Sequence, residues 1–178
     1  IAMSPFLWTF LKPYQQSRVK TFLNPDLDPL GRGYHIIQSK IAIGSGGTRG
    51  NGFLGGSQSS LDFIPEKETD FVFSIFAEQF GFIGSIILIS IFILLIIIPI
   101  IKSINIQNTF VKLAILGLSI KLLIEVVINI SMTLGILPVV GVALPFMSYG
   151  GSSLLSNMII CALIMNLMSV EKKLKYFR

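Results

Sequence analysis

The chain has 178 residues, 52% of them hydrophobic and only 13% charged, with a mean hydropathy of +0.78. That balance excludes an ordinary soluble domain and points to an integral membrane protein of a single domain. The formal charge of +5 does not argue for nucleic acid, because the basic residues are scattered or stand at membrane ends, where anionic headgroups of the membrane lipids account for them. The one cysteine, Cys161, lies in an apolar run and excludes both an intramolecular disulfide and a cysteine-based metal site.

The chain starts at Ile1 rather than at a Met, with Trp8 and Phe10 already in an apolar run, and reads as the C-terminal part of something larger. Residues 1–12 are too short for a hydrocarbon core that needs about 20 residues. They are expected to be the outer end of a truncated helix, with Trp8 in the interfacial aromatic belt and Lys12 at the exit. Residues 13–69 are polar and rich in turn formers, a water-side loop much longer than a connector requires. Within it, Ile36, Ile37, Ile41 and Ile43 alternate with Gln38, Ser39 and Lys40, which predicts a short amphipathic helix over 34–43 lying on the membrane surface. The glycines from Gly44 to Gly56 leave two readings open: a flexible loop, or a backbone that closes on a bulky polar substrate and offers N–H groups to phosphate or sugar oxygens. Gly50, Gly52 and Gly55 match G-x-G-x-x-G, but no βαβ unit surrounds them, so the dinucleotide reading is rejected. His35 reads as an interfacial side chain.

Five of the nine acidic residues, Asp62, Glu66, Glu68, Asp70 and Glu78, cluster where this loop enters the membrane. If the chain is helical from about Asp70, then Asp70, Ser74, Ala77, Glu78, Gly81 and Ser85 share one face. Phe71, Phe73, Ile75, Phe76, Phe80 and Phe82 cover the rest and are expected to face lipid, leaving the acids to a protein cavity.

Three spans follow, over about 80–101, 113–134 and 146–170. The first is uncharged and about 33 Å long at 1.5 Å per residue, enough for a core of about 30 Å. The link between the first two spans carries Lys102 and Lys112, and the tail EKKLKYFR is basic, so the positive-inside rule places both in the cytoplasm. The predicted fold is an all-α polytopic integral membrane protein: three full transmembrane helices plus the end of a fourth, with a long extracytoplasmic loop containing the short amphipathic helix. Residues 70–178 form the membrane bundle and its cytoplasmic C-terminal tail.

Inside the second span Lys121, Glu125 and Asn129 fall on one face, which suits a structural ion pair turned into the bundle, with a proton or ion relay as the alternative. In LPVVGVALPFMSYGGSS, Pro138, Gly141 and Pro145 break helix. Ser148, Tyr149, Gly150, Gly151, Ser152 and Ser153 then set small and hydroxylic residues at the mouth of the last span. A helix N-terminus there suits a lipid-linked phosphate, and close packing through small residues is the plainer reading.

The runs GYHIIQSKIAIGSGG, PEKETDF, FAEQFGFIG and NISMTLGILPVVGVALPFMSYGGSS together resemble the C-terminal half of the SEDS polymerases (shape, elongation, division and sporulation), over nearly all of the chain. LPVVG is more similar to the elongation branch than to the division branch, where a lysine often takes the place of Val140; Ala143 departs from a common proline. The resemblance implies a peptidoglycan glycosyltransferase that polymerises lipid II at the outer face of the bacterial cytoplasmic membrane, with a class B penicillin-binding protein as partner. It also implies that Asp70, in the T-D-F motif, is the essential loop aspartate, and a carboxylate set against a sugar hydroxyl suits a general base. A pyrophosphate leaving group calls for positive charge or a divalent cation. Arg18, Lys40 and Arg49 are outer-loop candidates to bind it, by location alone, and Glu66 and Glu78 are candidate ligands for Mg²⁺ or Mn²⁺. A site built from both halves of such a protein would be inactive in this chain alone. Two other readings stand beside this one: a lipid II flippase or transporter, motivated by Lys121, Glu125 and the Pro and Gly breaks, and a non-catalytic scaffold of the wall-elongation machinery.

Overall fold

The computed structural model describes residues 12–24, 31–53, 55 and 69–176. Except for Lys12, the truncated helix expected over residues 1–12 lies outside these, as do Glu66 and Glu68. The described residues form five helices and no strand: α1 (Pro13–Leu23), α2 (Arg32–Ser45), α3 (Val72–Ile104), α4 (Thr109–Thr133) and α5 (Gly151–Tyr176). Three of them are long and apolar enough to cross a membrane: Val72–Ile104, Thr109–Thr133 and Gly151–Ser169. Their outward residues, such as Ile83, Ile87, Leu94 and Leu155, are exposed and apolar, as a lipid-facing surface requires.

The sequence reading left α1 as loop. Its sequence is polar and shows little periodicity, but Pro13 at the first helical position and the Lys12 N–H donating to Gln15 Oε1 at 3.0 Å start it. Helix α2 corresponds to the amphipathic segment and is longer than the 34–43 expected. Ile36, Ser39 and Ala42 are buried, because this face packs on α3 and α4 instead of lying on lipid. The Ser39 hydroxyl donates to the Thr133 carbonyl at 2.7 Å, which fixes the helix against the end of α4.

Helix α3 consists of two helices meeting at Gly81, whose φ of 66° and ψ of −163° are non-helical. A break inside a membrane segment frees backbone groups that lipid cannot satisfy, and the glycine-rich loop satisfies them. The N–H groups of Asn51 and Gly52 donate to the carbonyls of Glu78 and Gln79 at 3.0 and 3.1 Å. Those of Phe82 and Ile83 donate to the carbonyls of Gly47 and Thr48 at 2.9 and 3.2 Å. Backbone meets backbone so closely that a Cβ on Gly50 would strike Gln79, and one on Gly46 would strike Ala77. The loop is therefore fitted to the break, and the N–H groups of Gly46, Gly47, Gly50, Asn51, Gly52 and Gly55, offered above to phosphate or sugar, are engaged within the protein.

The inward face of α3 carries Ser74, Ala77, Glu78, Gly81 and Ser85, all buried. The expectation that the aromatics would face lipid holds for Phe80 and Phe82, which are exposed, and fails for Phe71 and Phe73. Phe71 packs with Ile36, Met132 and Val139, and Phe73 joins the main core with Ile115, Leu122, Val126 and Leu144. The reason is that α2 and the segment before α5 cover the side of α3 that carries Phe71 and Phe73, while Val72, Ile75 and Phe76 stay half-buried.

Helix α4 begins at Asn108, whose side chain accepts from the N–H groups of Phe110 and Val111. It ends at Gly135 in a Schellman motif, with the Ile136 N–H on the Ser131 carbonyl at 2.8 Å and the Gly135 N–H on that of Met132 at 3.1 Å. The last helix begins at Gly151, not near 146 as expected. Pro145 and Phe146, the latter at φ 62°, hold the preceding residues in a turn.

Within the bundle, Lys121 Nζ lies 2.7 Å from Glu125 Oε1 and donates to Asn157 Oδ1 at 2.8 Å, tying α4 to α5. Removing one charge from such a pair leaves the other uncompensated. Lys121→Met is therefore expected to melt at a lower temperature in detergent than the double variant Lys121→Met/Glu125→Leu, although the double variant removes more polar groups.

Candidate functional site at the outer end of the bundle

Asp70 lies immediately before the first turn of α3, half-buried, where the loop meets the bundle. Its surroundings come from three distant parts of the chain. From α4, Asn129 donates both Nδ2 hydrogens: to the Asp70 carbonyl at 3.1 Å and to the Val142 carbonyl at 2.7 Å. From α1, Arg18 Nη1 donates to the Val140 carbonyl at 3.1 Å, with its guanidinium 5.7 Å from the ring centroid of Tyr14. Gly141, at φ 79°, stands between those two carbonyls, and a Cβ placed on it would lie 3.3 Å from Asp70 Oδ2. The segment 140–142 is thus held by a side chain on each side of a glycine, and that glycine forms the floor under the Asp70 carboxylate.

Beside it is an open cavity of about 550 Å³ lined by Val72, Leu154 and the residues from Phe146 to Gly151. Ser148, Tyr149, Gly150 and Gly151 therefore share one surface with Val72, which stands two residues along the chain from Asp70. Their roles differ. Ser148 is buried, its Oγ accepting the Leu144 N–H at 2.8 Å, so it shapes the turn. Tyr149 is 78% exposed. The helix starts at Gly151, with its first turn closed by the Leu154 N–H on the Gly150 carbonyl at 2.9 Å, which leaves the amides of the α5 N-terminus without intrahelical partners. Ser152 and Ser153 do not line the cavity.

The remaining candidates are placed elsewhere. Lys40 lies over Gly135 at the C-terminus of α4, where a cation complements the helix dipole and where any side chain at 135 would collide with its Cε. Arg49 is exposed, and its backbone abuts Gly81. Glu78 is wholly buried on α3, and neither it nor Asp70 lines the 550 Å³ cavity or the apolar one of about 230 Å³ between Ile43, Phe73, Phe82 and Ile130. Glu66 falls outside the described residues. Among the described residues no three His, Cys, Asp or Glu side chains converge on a point that would hold a metal ion. His35 packs edge-on to Tyr34 and beside Phe71, at centroid distances of 6.2 and 6.1 Å.

Helical spacing alone groups Asn129 with Lys121 and Glu125, and composition marks Gly141 only as a helix breaker. The structure separates Asn129 from the ion pair and gives it to Asp70. The available signal is an amide one turn from the end of a membrane-spanning helix, together with a downstream turn that has a glycine between two valines.

Fold and site together define a multi-pass helical membrane protein with a polar, glycine-lined junction at one end of its bundle. The chain belongs to the FtsW/RodA/SpoVE family of cell cycle proteins, whose profile matches residues 1–173. It is 49% identical over 174 residues to the peptidoglycan glycosyltransferase MrdB of Escherichia coli K12, covering 97% of this chain and 47% of that protein. It is 45% identical over 157 residues to the peptidoglycan glycosyltransferase RodA of Treponema pallidum, covering 88% of this chain and 36% of the relative. Among solved structures, a chain from a peptidoglycan synthase complex that coordinates polymerization and crosslinking matches with a TM-score of 0.68 and 37% identity, over 93% of this chain and 44% of that one. The chain thus spans less than half the length of these proteins.

Proposed function

We propose that this chain supplies the Asp70 side of a peptidoglycan glycosyltransferase, which polymerises lipid II into glycan strands at the outer face of the bacterial cytoplasmic membrane. The observation that carries the reading is the seating of the Asp70 carboxylate on Gly141, beside an open cavity, at the end of a membrane bundle. The names of the relatives support the chemistry, and the basic link with Lys102 and Lys112 at the opposite end supports the orientation, with the C-terminus cytoplasmic.

In this reading Asp70 takes the proton from the acceptor sugar hydroxyl as that oxygen attacks the anomeric carbon of the donor. The bond from that carbon to the lipid pyrophosphate breaks, and the pyrophosphate leaves with the electron pair. Arg18, fixed by Val140 and Tyr14 next to the Asp70 floor, and the N-terminus of α5 are the groups best placed to meet phosphate charge. Lys40 and Arg49 contribute less, the first being occupied at the end of α4. A divalent cation would supply positive charge to the departing pyrophosphate in this proposal; among the described residues no cluster of three His, Cys, Asp or Glu would hold it. A class B penicillin-binding protein is the proposed partner.

The test supplies labelled lipid II, in detergent and in vesicles, to the chain alone and to the chain joined to the N-terminal half of its Escherichia coli relative. Glycan product is expected only from the joined protein, and chelation of divalent cations is expected to reduce it. Movement of lipid II across the vesicle without polymerisation would replace this reading with a transporter; unchanged substrate with a retained partner would replace it with a scaffold.

A further inference from the structure

We infer that Asn129 is a positioning residue for Asp70, acting on the carboxylate through the backbone without touching substrate. It is wholly buried on α4 among Val126, Met132 and Thr133, surroundings that an apolar side chain would suit as well. A buried amide is costly unless its groups are bonded, and its Oδ1 has no partner among the described residues. Its two N–H groups satisfy two backbone carbonyls, so it contributes stability, and beyond that it supplies geometry.

Its two N–H groups diverge in a plane, and each ends on a carbonyl that fixes one side of the site. One holds Asp70 by its own carbonyl, 59 positions away in sequence, and the other holds Val142, the residue after the glycine on which the Asp70 carboxylate rests. The N-cap residue of α3 is Phe71, whose side chain makes no cap bond, and the bond from Asn129 ties the residue before it to α4. Arg18 secures the other side of Gly141 through Val140, so the floor is held from both ends, and Asn129 holds Asp70 as well. Without the amide, carboxylate and floor lose their common reference, and a displacement of about 1 Å costs about a hundredfold in rate.

The inference rests on Asp70 as the base, and a cycle in the whole protein separates the two. Asn129→Ala, Asn129→Gln, Asp70→Asn and the two double variants are compared for kcat and KM on radiolabelled lipid II, with melting temperature measured alongside. Asn129→Ala is expected to lower kcat by about ten- to a hundredfold at nearly constant KM. In the Asp70→Asn background the same change is expected to add no further loss, since residues acting as one unit are not additive. Asn129→Gln, which keeps both donors on a longer arm, is expected to recover part of the rate, and it carries the same comparison if the alanine variant does not fold. An equal fold-loss in both backgrounds that follows the fraction of folded protein would overturn the positioning role. Undiminished synthesis by Asp70→Asn would instead overturn the base assignment.

Discussion

Asp70→Asn is expected to lower glycan synthesis by the whole protein about 10²- to 10⁴-fold, the usual contribution of a general base, while leaving the fold intact. Asparagine has nearly the shape of aspartate, and the tie from Asn129 is made to the backbone carbonyl of residue 70, so the substitution leaves that bond in place. The carboxylate's rest on Gly141 is likewise a contact of shape. What is lost is the negative charge and, with it, the capacity to take a proton. Product formation from lipid II is the measurement, with the melting temperature as the control for folding. A variant that polymerises at the parent rate would remove Asp70 from the mechanism and leave the cavity beside it without a role in chemistry.

The largest structural effect is expected from Gly81→Ala. The positive φ at Gly81 costs a side-chain-bearing residue about 1–3 kcal/mol. Its Cβ would also meet backbone atoms: Gly50 N, and Arg49 C and N at 2.7 and 2.9 Å. Backbone cannot swing aside as a side chain can, so the overpacking adds about 1–3 kcal/mol more. Relief requires parting the loop from the break, which exposes the carbonyls of Glu78 and Gln79 and the N–H groups of Phe82 and Ile83 together. Gly117→Ala on α4 is the matched control. A Cβ there meets nothing within 4 Å, and alanine favours helix over glycine by up to about 1 kcal/mol. Melting in detergent should therefore fall steeply for Gly81→Ala and hold or rise for Gly117→Ala. A Gly81→Ala protein as stable as the parent would mean that the loop does not clasp the break.

Much of the molecule was legible in one dimension because the membrane imposes a one-dimensional rule. Hydrocarbon demands long apolar runs with their backbone bonds made inside each helix, so the runs in the sequence locate α3, α4 and the apolar part of α5, with ends that differ by one to eight residues. Local chemistry was legible too. Lys121 and Glu125 meet because four residues of helix bring them together, and Asp70 stands at a junction of loop and helix that composition alone marks.

The sequence by itself therefore determined a helical membrane protein, the approximate places of its spans, and the aspartate at the end of one of them. Only the tertiary structure decided what that aspartate rests on. Asn129, Arg18 and Gly141 reach one point from α4, α1 and the turn before α5, and no spacing rule links residues that far apart in the chain. The same holds for the glycine-rich loop, whose composition is as compatible with flexibility or with a phosphate cradle as with its actual place. Its N–H and C=O groups had to find partners out of water, and the broken helix at Gly81 had the complementary groups to offer. Hydrogen-bond satisfaction in a medium without water is a property of the assembled fold, which is why the loop's partner and the seat of Asp70 appear only there.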